Sequence, residues 1–502
     1  MTSSHEDATL REFGYDQKLD RSVGKLASFC IGFSVISATT AVYSGFGFGL
    51  SIAGPAYVWT FPIAVAVFFV WAVIAGDLAS KIPLAGYAYQ WTSRLVGPSL
   101  GWFTGFAGLI GFISGFTGVA YIMAGYLGNL LGWDLGTAGQ VFTTIGIVFV
   151  CVLINAYGVR LATLLNNVGV GLELVVTLAV TALIAAVVLS GSTSHQGLSY
   201  LFSTGGSTTS PYVWVWLTSS LGCIFGLLGV EAAADIAEET QDARRVIPRT
   251  MLYALGLSSA IEFVMYLVFL LTVPDPAAIS ESASPIADIM AGQLSPVFSK
   301  IVVGFALTNI LVCVLANMLV ATRLLYSMAR DNVLPASRLL QKVSVGRKVP
   351  AAAVWTTGVI SVAILLSALI NAQAFAYILG LSALGYFTVY VLTTAGLILA
   401  GHRGRMPAAT PGTFDLGVLR KPVHIIGLVA FTAVLAALLL LPDFRANGRI
   451  FLAVLVVAAL WWAVVLRGRI ARGQAGPALS NVADTSRRTA DEAQSEPVGP
   501  LL

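Results

Sequence analysis

Charge is scarce in this sequence. Only 10% of its 502 residues are Asp, Glu, Lys or Arg, whereas 57% are hydrophobic and the mean hydropathy is +0.85. Soluble globular domains carry about 25% charged residues. The deficit excludes a water-soluble globule and indicates an all-α polytopic membrane protein.

Residues that bind metals or attack substrates are also few. The four cysteines lie in apolar stretches without metal-ligand spacing (Cys30, Cys151, Cys223 and Cys313), and the four histidines lie in tails, loops or helix ends (His5, His195, His402 and His424). A disulfide framework, a metal site and a polytopic membrane enzyme are therefore disfavoured. Since no ATP-binding P-loop is visible, we expect no cofactor and an energy source in a proton or sodium gradient, or in exchange.

Long apolar runs, in contrast, are abundant. A membrane-spanning helix needs about 20 mostly apolar residues, and this template fits twelve times. The predicted spans are 27–53, 56–80, 97–129, 137–157, 164–190, 212–238, 249–273, 295–330, 350–370, 374–400, 422–441 and 448–467. We expect residues 1–26 to form a cytoplasmic tail and residues 468–502 to form a disordered one.

The basic residues orient the chain. Of the 28 Lys and Arg residues, only Lys300, Arg445 and Arg449 lie near loops on one side of the predicted bundle. The positive-inside rule therefore places both termini in the cytoplasm of a plasma or inner membrane. It also explains the net charge of +4 without a nucleic-acid partner. The oligomeric state is left open.

The first predicted span contains a segment that is typical of a breakable helix. Ser, Thr and Gly crowd the stretch from Ser34 to Gly49, and these residues weaken helices. In the sixth span, Gly226 and Gly229 precede Glu231. Spans one and six are five apart, as expected for two inverted five-helix repeats that each begin with a discontinuous helix. Backbone groups freed at such breaks can bind a ligand near the membrane midplane.

Three carboxyl groups lie deep in predicted spans, where each charge costs about 2.5–3.5 kcal/mol on insertion scales. Glu173 shares a polar and small face with Asn166, Gly169 and Thr177, whereas Glu262 has no adjacent glycine break or polar stripe. We interpret Glu173 as a candidate coupling residue that carries a proton or pairs with a cation. A purely structural role is an alternative for each of the three, and the stronger interpretation for Glu262.

Four stretches resemble the amino acid-polyamine-organocation transporter superfamily, and within it the amino acid/choline permeases. They are "GFGLSIAGPAYVW", "DLASKIPLAGYAYQWTSRLVGPSLGW", "GVEAAADIAEETQDARRVIPRTM" and "ATRLLYSMARDNVLP". The resemblance implies an inverted-repeat core over residues 27–400, with repeats at about 27–190 and 212–400, and two accessory helices over 401–467. It also implies transport of amino acids or related amines such as γ-aminobutyrate, choline or polyamines.

The resemblance also implies particular site residues. The family's unwound part of helix 1 corresponds to residues 37–42, and its break in helix 6 to residues 225–231, with Phe225 at a gating position. The implied substrate-binding residues are Ser37, Ala38, Thr39, Thr40, Ala41, Phe225, Gly226, Gly229, Glu231 and Asn317. The superfamily's commoner Gly-Ser-Gly triplet is replaced by Thr39-Thr40, and Glu173 stands where some proton-coupled relatives have a Lys.

The leading hypothesis is a secondary transporter that works by alternating access within the lipid bilayer. The absence of deep Lys or Arg favours an amine-bearing or cationic ligand. A membrane nutrient sensor of the same fold, which binds without transporting, is the alternative. The major facilitator fold is disfavoured because "SKIPLAGYAYQWTSRL" lacks the basic motif expected between its second and third helices.

Overall fold

The computed structural model describes residues 10–191, 195–205, 211–282, 284–370, 374–409, 411–441 and 444–477. Within these ranges the regular secondary structure is helical, apart from one isolated bridge between Val23 and Thr240. The predicted all-α class is therefore confirmed.

The described ranges contain eleven helical segments that are long and apolar enough to cross a membrane, and a shorter apolar helix supplies a twelfth. The observed helices are α1a (Lys25–Val35), α1b (Ala38–Ala53), α2 (Thr60–Lys81), α3 (Pro98–Leu131), α4 (Gly136–Tyr157), α5 (Val159–Ser190), α6a (Tyr212–Leu227), α6b (Ala232–Asp235), α7 (Ala243–Leu271), α8 (Pro296–Arg330), α9 (Ala351–Ser367), α10 (Ala374–His402), α11 (Arg420–Leu440) and α12 (Arg445–Trp461).

The break in the first span is shorter than the sequence predicted. The helix stops after Val35 and resumes at Ala38, so only Ile36 and Ser37 are non-helical, instead of residues 37–42. Ser37 caps the second half, because its hydroxyl accepts a hydrogen bond from the Thr40 N–H. A serine in this position satisfies a donor that the helix leaves free, which allows the following residues to remain helical.

The break in the sixth span begins later than predicted. Phe225 and Gly226 belong to the last turn of α6a, and residues 228–231 connect it to the four-residue helix α6b. Gly229 lies within this connection with a φ of 89°, a conformation that favours glycine. The predicted discontinuity is therefore present, but it occupies only the second half of residues 225–231.

Charged residues gather at the end of the bundle where α8 finishes. Arg323 pairs with Glu239 at 2.8 Å, and Arg330 pairs with Glu238 at 2.8 Å. The Tyr15 hydroxyl donates to Asp331 at 2.7 Å, so the segment before α1a is packed against the same layer. We call Glu238, Glu239, Arg323, Arg330 and Asp331 the ionic layer.

The chain after α12 is ordered for longer than predicted. Helical structure continues through Trp462–Leu466 and Arg467–Ala471, and the Gly476 N–H donates to the Asp331 carbonyl at 2.8 Å. The predicted disordered tail therefore does not begin at residue 468, because residues 468–477 are folded back onto the bundle. Residues 478–502 of that prediction, and residues 1–9 of the N-terminal tail, lie outside the described residues.

Candidate functional site

A cavity of about 20 Å³ lies where the break in the first span faces α3, the end of α6a, α8 and α10. This volume accommodates about one water molecule and is far below the roughly 300–1,000 Å³ that is usual for small-molecule pockets. The lining residues are Val35, Ser37, Thr40, Ala41, Gly115, Val119, Phe225, Gly226, Leu228, Cys313, Asn317, Ser382 and Tyr386. The cavity is therefore contracted in this conformation, and a ligand larger than a water molecule would fit only after the surrounding helices move apart.

The N-terminus of α1b forms one wall of this cavity. The Thr40 N–H donates to Ser37 Oγ at 3.1 Å, and the Thr39 N–H donates to Glu173 Oε1 at 3.1 Å. Among the described residues, the N–H groups of Ser37 and Ala38 form no backbone hydrogen bond. A helix N-terminus carries a partial positive charge and free N–H donors, which together favour a bound anion.

Glu173 reaches the same helix end from α5. Its Oε1 accepts a hydrogen bond from the Ser37 hydroxyl at 2.6 Å in addition to the one from Thr39. Thr39 also pairs with Thr177 of α5, their hydroxyl oxygens 2.7 Å apart. Glu173 is buried but does not line the cavity, because Ser37 stands between them. A change in the charge of Glu173 is therefore felt at the cavity through Ser37 and the α1b N-terminus.

The Glu231 side chain is hydrogen-bonded to residues of α2 and α10. Its Oε2 accepts hydrogen bonds from Trp71 Nε1 at 3.0 Å and from the Tyr390 hydroxyl at 3.1 Å. It is fully buried and is not one of the cavity-lining residues. Within the described part of the chain, the cavity lining contains no Asp, Glu, Lys or Arg.

The cavity gathers six of the predicted substrate-binding residues: Ser37, Thr40, Ala41, Phe225, Gly226 and Asn317. The lining does not include the other four, Ala38, Thr39, Gly229 and Glu231. Sequence reasoning missed α10, which contributes Ser382 and Tyr386. These two residues are four apart and share one helical face in "LSALGYF", which was the available signal.

The cavity is closed at both ends. Beyond α1b and α6a, the Tyr212 hydroxyl donates to the Ala53 carbonyl at 2.7 Å, and Trp59 Nε1 donates to the Leu201 carbonyl at 2.9 Å. The two helices touch so closely at Gly45 and Gly222 that their backbones are in contact. The ionic layer closes the opposite end. This arrangement is a closed conformation.

Comparison with known proteins agrees with this architecture. Residues 23–461 match the family described as amino acid permease. An amino-acid permease from Arabidopsis thaliana is 25% identical, with 84% of this chain and 85% of the relative covered. A branched-chain amino acid permease from Lactococcus lactis is 27% identical, covering 71% and 77%. An amino-acid permease from Neurospora crassa is 24% identical, covering 81% and 78%. These relatives are named as permeases, which are transporters and not enzymes.

The contact between α1b and α6a yields a first prediction. A Cβ atom at Gly45 would lie 2.0 Å from the Gly222 carbonyl oxygen, and no side-chain rotation can relieve a clash with backbone. We expect Gly45→Ala to lower the stability of the purified protein by about 1–3 kcal/mol, as overpacking does. The measurement is thermal unfolding in detergent.

Gly304→Ala in α8 is the matched control, because a Cβ there meets no atom within 4 Å. Removing a glycine from a helix interior should stabilise the protein by up to about 1 kcal/mol. Equal unfolding temperatures for the two variants would show that α1b and α6a are not in tight contact.

Proposed function

The chain belongs to the amino acid permease family, and from this premise we propose that it carries neutral amino acids across the membrane by alternating access. The observation that supports the proposal is the closed cavity at the break of the first span, which is lined by uncharged residues. Transport of amino acids as a class follows from the family. The substrate, the ion and the cycle below are proposals.

The ends of the two half-helices offer complementary sites for the ionised groups of an amino acid. The N–H groups of Ser37 and Ala38 and the dipole of α1b would hold the carboxylate. Carbonyl groups at the C-terminal ends of α1a and α6a, together with the Asn317 amide oxygen, would hold the ammonium group. Neither interaction requires a charged side chain in the cavity.

The rest of the cavity suits an apolar side chain. Val35, Val119, Phe225 and Leu228 contribute hydrocarbon and aromatic surface to the lining. A polyamine or choline would bring a positive charge into the cavity, and the described lining has no carboxylate to pair with it. An unpaired buried charge is strongly unfavourable. The cationic ligands that the sequence alone favoured are therefore less suitable than a neutral amino acid.

Glu173 provides a way to couple transport to protons. An ionised Glu173 already occupies the Thr39 N–H and would repel a substrate carboxylate at the same helix end. A protonated Glu173 removes this repulsion, so proton and substrate would bind together. The alternative is that an ionised Glu173 pairs with a sodium ion.

The substrate class is testable by a binding screen. At 100 times its dissociation constant a ligand should stabilise the purified protein by about 2.7 kcal/mol. We expect thermal shifts with leucine, valine or alanine and none with lysine, choline or spermidine. A response confined to the cationic compounds would contradict the neutral-substrate proposal.

Thr40 tests the role of the cavity. Its buried hydroxyl has no hydrogen-bond partner among the described residues, and it faces the cavity. Thr40→Leu should reduce uptake into proteoliposomes by at least about tenfold, because each lost hydrogen bond and misplaced methyl group is worth on the order of 1–3 kcal/mol.

The control is Thr308→Leu, which makes the same change at an exposed position of α8. It should transport like the parent protein. If Thr40→Leu also retains the affinity and rate of the parent, the cavity is not the binding site.

Glu173→Gln tests the coupling. We expect accumulation driven by a one-unit pH gradient to fall at least about tenfold, since one pH unit corresponds to a factor of ten for each coupled proton. Counterflow exchange without a gradient should persist. If sodium restores substrate binding in the parent protein but not in Glu173→Gln, the protein is instead a sodium-coupled carrier. Parental accumulation under both gradients would leave Glu173 with a structural role.

A further inference from the structure

Glu262 of α7 is a second buried carboxyl group whose environment differs from those of Glu173 and Glu231. Its side chain is fully buried, and its carboxyl oxygens make no well-aligned hydrogen bond to another helix among the described residues, while the Tyr266 hydroxyl, one turn along α7, lies beside them. Glu173 and Glu231 each accept two hydrogen bonds from neighbouring helices. Glu262 is therefore a buried carboxyl group that receives no hydrogen bond from a neighbouring helix in the described structure.

The groups that face Glu262 are neutral. They are Tyr57 from the turn before α2, Cys223 from α6a and Tyr266 from α7 itself, and the Tyr266 hydroxyl in turn lies against Ala41 and Gly45 of α1b. The Tyr57 hydroxyl also has no hydrogen-bond partner in the described part of the chain. Aromatic rings surround the tyrosines: Phe46 and Phe61 pack on Tyr266 at 6.4 and 5.6 Å between centroids.

This environment selects the ligand. An ionised carboxylate without a partner is too unfavourable to persist in apolar surroundings, so Glu262 must bind either a proton or a cation. A proton needs no coordination shell, whereas calcium and magnesium ions need about six oxygen ligands. One carboxyl group among two phenols and a thiol suits a proton.

Glu262 is also adjacent to the substrate cavity. A Cβ atom on Gly226 would lie 3.0 Å from Glu262 Oε1, so the carboxyl group rests against the backbone of the last turn of α6a. The Tyr266 hydroxyl is 3.5 Å from the Ala41 carbonyl of α1b. Both Gly226 and Ala41 line the cavity. Glu262 thus lies behind the cavity wall, where α1b and α6a meet.

We propose that Glu262 is a second proton-binding site, occupied while α1b and α6a are packed together and emptied when they separate. Separation admits water, the O–H bond of the neutral acid breaks, and the proton passes to water while the carboxylate becomes hydrated. The inference rests on the proposed transport function. With Glu173 as the first site, it predicts two protons for each substrate molecule.

The stoichiometry is measured from the gradient that stops net flux. In proteoliposomes with the membrane potential clamped at zero, a tenfold substrate gradient is balanced by a pH gradient of about 0.5 unit for two protons and about 1 unit for one. We expect about 0.5 unit for the parent and about 1 unit for Glu262→Gln, which should retain counterflow exchange. Glu281→Gln, at an exposed position, should match the parent.

A second measurement does not depend on transport. Infrared spectra of the purified protein in D₂O contain a carbonyl band for each protonated carboxyl group. Glu262→Gln should remove one such band, and Glu262→Asp should shift it, while Glu281→Gln leaves it in place. The Asp variant also provides the assignment if the Gln variant does not fold.

The outcomes separate the two proposals. A balance point near 1 unit in both parent and Glu262→Gln overturns the second site and leaves the proposed function intact. A parent protein without any response to pH gradients overturns proton coupling through Glu173, and the infrared result then decides whether Glu262 holds a proton. If no protonated-carboxyl band changes in either Glu262 variant, the inference is wrong.

Discussion

Backbone hydrogen bonding is the constraint on which this structure depends. A membrane offers no water to an unpaired N–H or C=O group, so a helix can be interrupted only where protein or ligand replaces the missing partners. Ser37 and Glu173 replace two of them at the start of α1b. Ser37, whose N–H forms no backbone hydrogen bond among the described residues, lines the cavity. The proposed binding site is thus the part of the interruption whose backbone groups the protein itself does not satisfy.

The same rule distinguishes the three deep carboxyl groups. Glu231 is held by Trp71 and Tyr390, which gives it the bonding of a structural residue that fixes α6b against α2 and α10. Glu173 bonds to a helix end that also faces the ligand, so its charge and the ligand's charge interact. Glu262 has no hydrogen-bonded partner on another helix in the described structure, and Tyr266 of its own helix lies beside it. Sequence alone ranked Glu262 as the most structural of the three, because the absence of polar neighbours along its own helix says nothing about other helices.

Much of the architecture was predictable because each span must independently satisfy the length and apolarity of the bilayer. All twelve predicted spans coincide with observed helices, although α5 begins at Val159 instead of near residue 164. Six residues of the cavity were predicted from the resemblance and the local pattern. The position of the break was not predicted from the sequence. Whether Thr39 and Thr40 are helical depends on the hydrogen bond from the Thr40 N–H to Ser37 and on the contact of Thr39 with Thr177 from another helix. The contribution of α10 depends on tertiary packing, which places Tyr386 against α3 and against Gly229 in the connection between α6a and α6b.

The cavity is closed at one end by the ionic layer and at the other by the α1b–α6a contact. The two contacts differ in how well water can replace the interactions that are lost when they open. Opening the ionic layer separates Arg323 from Glu239 and Arg330 from Glu238, and hydration of the four released charges offsets much of the lost attraction. Opening the α1b–α6a contact exposes Phe46, Tyr57 and Tyr266, and each 100 Å² of apolar surface brought into water costs about 2.5 kcal/mol. Hydration of a charge can offset this cost only if Glu262 ionises at the same time. When Glu262 releases its proton, hydration of the new carboxylate offsets part of the cost of opening the α1b–α6a contact. The ionic layer needs no such step, because its own charges become hydrated when it opens.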